Sequence, residues 1–130
     1  MTTTKTILSR VLFVMYLAAI GLICFISSSS VPDLPTLFLG IDVDKMIHFG
    51  MFLPFPIMAF LSFDHPSGKK LRNVLFIVVS MIVGVIIAGF TEVIQEYLPT
   101  REMDINDFIA DSTGIALSSI FVLIVDLTRK

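Results

Sequence analysis

Four apolar stretches, each close to the length that crosses a lipid bilayer, dominate this chain of 130 residues. They cover roughly residues 11–27, 46–63, 74–94 and 108–125. A membrane-spanning helix needs about 20 consecutive, mostly apolar residues. No water in the bilayer core meets an unpaired backbone N–H or C=O, so each stretch is read as a helix and not a strand. The expected fold is an all-α membrane protein, a four-transmembrane-helix bundle forming one domain over residues 1–130. Hydrophobic residues make up 55% of the chain and charged residues 15%, against about 25% charged in a typical soluble domain. The charges fall in short clusters between the apolar runs. Lys5 and Arg10 ahead of the first stretch also outline a signal peptide, but the stretch is long for one and is read as a span.

Lys and Arg set the expected orientation, because cytoplasmic loops are enriched in them. Lys5 and Arg10 precede the first span, Lys69, Lys70 and Arg72 lie in the second loop, and Arg129 and Lys130 follow the fourth span. The first loop has only Lys45 and the third only Arg101. Both termini are therefore expected in the cytoplasm and loops 1 and 3 outside. A net charge of -2 without a large basic patch excludes nucleic acid as a partner class. A single cysteine, Cys24, excludes an intrachain disulfide and is read as a small buried residue. The one low-complexity feature is the serine run at residues 27–30.

The second span carries Pro54 and Pro56 in "FLPFPIM". Each removes a backbone donor and disfavours helix in the residue before it. The span is expected to be kinked or broken there. Either neighbouring groups satisfy the freed carbonyls, or the segment is re-entrant and lines a polar cavity.

Helical spacing sorts the polar residues. Asp104, Asp107 and Asp111 lie within roughly 60° of one another if a helix begins near Asp104. Their stripe continues into Gly114 and Ser118. In the third span Ser80, Gly84 and Ala88 form a small-residue stripe that runs on into Glu92 and Glu96, with Gln95 beside Glu92. Small residues four apart let helices approach closely in membranes. Spans three and four are therefore expected to pack along these stripes, gathering the carboxylates into one polar pocket. The same stripes would also serve in a homo-oligomer. Asp44 and His48 share a face at the start of the second span, with Lys45 adjacent.

Simpler roles compete for several of these groups. Asp104 suits an N-cap and Asp107 the first turn of a helix. Lys45 suits an interfacial position, and Glu96 and Glu102 read as solvated loop charges. Capping explains neither Asp111, about two turns inside its helix, nor Glu92 on the opposing span. An ionised residue within a span is costly unless paired or hydrated, and is a functional candidate by default.

Two separated motifs, "DKMIHF" from Asp44 and "EVIQEYLPTREMDINDFIADSTG" from Glu92, together resemble the VanZ-like family. Asp44, Lys45, His48, Glu92, Gln95, Arg101, Asp104, Asp107 and Gly114 match its pattern. Asp111 departs from it, because the family usually has Asn there. The resemblance implies a small bacterial inner-membrane protein acting at the cell envelope. The family's name comes from a protein associated with resistance to the glycopeptide teicoplanin.

Three functions fit these residues. The first is a non-enzymatic envelope protein whose outward-facing pocket binds a lipid headgroup, lipid-linked precursor or other amphiphile. Lys45 and Arg101 would hold a phosphate or carboxylate, Arg being the better bidentate partner. The second is a membrane enzyme using His48, Glu92, Asp107 and Asp111 for acid–base or metal chemistry. No dense metal motif such as His-Glu-x-x-His occurs, and no cofactor is expected. The third is a proton-coupled transporter with carboxylates as relays.

Overall fold

A computed structural model describes residues 3–26, 37–63 and 69–129. The serine run at residues 27–30, Asp64 at the start of the second loop, and Lys130 lie outside the described residues. Four long helical segments account for most of the rest: α1 (Thr3–Phe25), α2 with α3 (Val43–Phe52 and Phe55–Phe63), α4 (Lys70–Glu96) and α5 (Ile105–Thr128). All four are long and apolar enough to cross a membrane. At 1.5 Å per residue, α4 with its 27 residues is roughly 40 Å long, more than the hydrocarbon core of about 30 Å. The helices also run past the apolar stretches, because backbone hydrogen bonding continues into polar sequence at the bilayer edge. Large apolar side chains such as Leu22, Ile86, Phe90 and Phe121 point outward, as a lipid-facing surface requires.

A short element not expected from the sequence precedes α2. β1 (Leu37–Phe38) and β2 (Ile41–Asp42) pair antiparallel in a two-residue hairpin. Leu39 (φ 53°) and Gly40 (φ 78°) both adopt positive φ, the backbone that such tight hairpins need. Asp42 ends the hairpin and caps α2, its side chain accepting from the Asp44 N–H.

The second span is divided at Leu53–Pro54 into α2 and α3. Pro54 and Pro56 cannot donate to Gly50 and Phe52. The Met51 carbonyl, between those two, accepts from the Tyr16 hydroxyl of α1 at 2.6 Å. Farther along α3, Arg10 Nε donates to the Ser62 carbonyl, and the Ser62 hydroxyl donates to the Ser9 carbonyl. Phe13 packs its ring on both Phe55 and Phe63. The helix next to the break is thus held by α1 through polar and aromatic contacts together.

The core centres on Ile20, Cys24, Phe52, Ala88 and Ile115, so Cys24 is the small buried residue its sequence setting implies. α5 packs against both α2 and α4. Spans three and four pack together as expected and bring Glu92 beside Asp111, but the closest backbone approach to α5 comes from the second span. A Cβ on Gly114 would lie 2.6 Å from the Phe49 carbonyl oxygen and 3.3 Å from Leu53 N, so Gly114 faces the backbone of the second span. Gly84 faces the Phe55 ring and Ile115 instead. Spacing within one helix shows which residues share a face but not which neighbour takes it, and the proline-broken span claims the closest approach.

Gly114→Ala should therefore destabilise the bundle by about 1–3 kcal/mol, as overpacking does. Gly21→Ala, where an added Cβ meets nothing within 4 Å, should be neutral or slightly stabilising. Tyr16→Phe should cost roughly 1 kcal/mol by leaving the Met51 carbonyl without its hydroxyl donor. Thermal unfolding in detergent checks all three.

Candidate functional site

The site forms where α2 begins, α4 ends and α5 begins. Asp104 is the N-cap of α5, its side chain accepting from the Asn106 N–H at 2.8 Å. Its other oxygen accepts from Lys45 Nζ at 2.6 Å. Asp107, one turn on, accepts from the same ammonium at 2.6 Å. Lys45 is therefore a clamp between α2 and α5 and already has two anionic partners.

One turn farther along α2, His48 is buried among three carboxylates. Nδ1 lies 3.0 Å from Asp111 Oδ1 and 3.7 Å from Glu92 Oε1, and Nε2 lies 3.5 Å from Asp107 Oδ2. Glu92 is 1% exposed and Asp111 0%, which places both beyond the reach of bulk water. Glu92 Oε2 accepts from the Asp104 N–H, and Glu96 Oε2 accepts from the Met103 N–H. The two glutamates at the end of α4 thus hold the linker that starts α5, a role for Glu96 beyond that of a solvated charge.

Gln95 and Arg101 serve a different element. Gln95 Nε2 donates to the Cys24 carbonyl at 2.8 Å, and Arg101 Nε donates to the Ile26 carbonyl at 3.3 Å. The last carbonyls of a helix have no intrahelical donor, so these two residues cap the end of α1. The spacing of Gln95 and Arg101 gives no hint of this, because their acceptors lie some 70 residues earlier in the chain. Asp44 is exposed and makes no side-chain bond to the His48 cluster.

A cavity of about 400 Å³ opens beside this cluster. Asp44, Glu102, Asp104 and Asp107 give it four carboxylates, Gln95 an amide, and Arg101 its one cation among the described residues. On α5 an apolar groove of about 420 Å³ begins at Phe108 and runs to Ile120. At about 100° per residue its lining lies on the opposite face of α5 from Asp107 and Asp111.

Residues 13–126 match the family model described as VanZ/LLP1. The chain belongs to this family. No curated protein and no solved structure matches it. Of the positions that carry the VanZ-like pattern, Lys45, His48, Glu92, Asp104 and Asp107 converge on one cluster with Asp111. Gln95 and Arg101 instead tie α1 to the rim, and Gly114 lets α2 come close. A second polar contact of this VanZ-family chain, unforeseen from its sequence, lies near the opposite end of α5, where Asn73 donates to Asp126 at 3.0 Å.

The hydrogen bond from Lys45, and next the Asn106 N–H, hold the Asp104 carboxyl below the usual carboxylate range. A lowered folded value stabilises the fold above the unfolded pKa of about 3.9, and that stabilisation is lost as pH falls through the folded value. Asp104→Asn keeps a good N-cap while removing the charge. Its deficit in melting temperature relative to wild type should be full at neutral pH. It should shrink as the pH drops below about 4, which thermal melts over an acid pH series would read.

Proposed function

We propose that this VanZ-family protein lies in the bacterial cytoplasmic membrane and binds the headgroup of a lipid or lipid-linked envelope amphiphile in its rim cavity. The observation that carries this reading is a polar cavity that sets Arg101 among four carboxylates at the end of a bundle whose outer side chains are large and apolar. An amphiphile needs both surfaces. Arg101 would engage the acidic part of the headgroup, and the surrounding carboxylates would accept bonds from hydroxyl or amine groups. Lys45, already paired with two carboxylates, contributes to the shape of the site and not to anion binding. The distribution of Lys and Arg supports an outer-side position for the cavity.

Two alternatives have less support. Acid–base catalysis by His48 requires access, yet His48 is 4% exposed and does not line the cavity. A proton relay across the membrane requires carboxylates in steps. The next buried carboxylate along α5 from Asp111 is Asp126, roughly 22 Å away at the helical rise.

Native mass spectrometry of protein extracted in a mild detergent tests the proposal. Wild type and Gly21→Ala should retain a bound amphiphile, and Arg101→Ala should lower its occupancy about tenfold, the loss expected for one charge-assisted contact. Equal occupancy in Arg101→Ala and wild type, or no bound amphiphile in either, would refute it.

A further inference from the structure

We propose that His48, Glu92 and Asp111 form a binding site for a divalent transition-metal ion. This inference is independent of the lipid reading, because the three residues lie behind the cavity and do not line it.

The geometry is that of a ligand set. The three side chains come from α2, α4 and α5, and one donor atom of each lies within 4.8 Å of the other two. His48 Nδ1 is 3.0 Å from Asp111 Oδ1 and 3.7 Å from Glu92 Oε1. Ligands at bond lengths of about 2.0–2.2 Å around a tetrahedral ion lie roughly 3.3–3.6 Å apart, so small adjustments would seat an ion. One imidazole nitrogen with carboxylate oxygens suits an ion of the Zn²⁺ or Mn²⁺ type, whereas Mg²⁺ and Ca²⁺ favour oxygen alone.

A second observation points to a missing partner. Glu92 Oε1 and Asp111 Oδ2 are buried and have no hydrogen-bond partner. A protonated His48 bonded to Asp111 would leave both atoms unpartnered. Glu92, Asp104, Asp107 and Asp111 also bring four carboxylates against the single ammonium of Lys45. An ion at this point would meet both deficits.

The surroundings hold the ligands as metal sites require. A metal-bound histidine usually gives its other ring N–H to a carboxylate, and His48 Nε2 faces Asp107 Oδ2 at 3.5 Å. Asp107 is in turn fixed by Lys45, and Glu92 by the Asp104 N–H. The alternative triad of Asp44, His48 and Asp107 is less suited. Its Asp107 already binds the Lys45 ammonium at 2.6 Å, and a divalent ion there would be repelled by that charge.

The test uses the full chain in detergent, stripped with EDTA, loaded with Zn²⁺ and desalted. Elemental mass spectrometry should find about one zinc per chain in wild type and in Asp44→Asn, and less than about a tenth of that in Glu92→Gln and Asp111→Asn. Zn²⁺ should raise the melting temperature of wild type and leave that of the two depleted variants unchanged. If either depleted variant fails to stay monodisperse, ¹⁵N NMR of Asp44→Asn/His65→Ala decides, since His48 is then the sole histidine. Zinc should shift its Nδ1 resonance as a ligand. Wild type with less than about a tenth of an equivalent, full zinc in Glu92→Gln and Asp111→Asn, or a shift confined to Nε2 would each overturn the proposal.

Discussion

The approach of α2 to the Gly114 face of α5 is the contact on which the rest of the molecule depends. With no side chain at Gly114, the Phe49 carbonyl oxygen lies 2.6 Å from where a Cβ would be. That distance lets Lys45 reach Asp104 and Asp107, and His48 reach Asp111. Each pair lies about one helical turn from the next, so the two helices are joined at successive levels by polar contacts of increasing burial. In lipid such contacts are well suited to holding helices together, because packing gains little from hydrophobic burial there.

The second span is also held from another side, by α1. Beside the prolines, the Met51 carbonyl accepts from the Tyr16 hydroxyl of α1. The same helix is in turn capped at its far end by Gln95 and Arg101. Thus α1, with few buried residues of its own, is fixed near both ends to the elements that carry the site. Polar residues that resemble a binding motif are here divided between two tasks, building the rim and closing a neighbouring helix.

Much of the fold was legible before any coordinates, because length and apolarity are local properties. So was the cap at Asp104, which rests on the chemistry of a single residue. The shared face of Asp104, Asp107 and Asp111 followed from helical period. The hairpin at Leu37–Asp42 was not legible, since it rests on positive φ at Leu39 and Gly40, and leucine gives no sign of that. Nor was the neutralisation of Lys45, which requires two partners some 60 positions away.

The sequence by itself determined that this is a four-span chain of the VanZ type with polar groups gathered toward one end of its helices. Periodicity and the bilayer's demand for internal hydrogen bonding leave little else. Tertiary structure alone decided that Gly114 meets the second span, that Gln95 and Arg101 cap α1, and that Glu92 and Asp111 converge on one imidazole nitrogen. The physical reason is that a helical repeat fixes which residues share a face, whereas the neighbour opposite that face is chosen by backbone clearance and side-chain reach between distant segments.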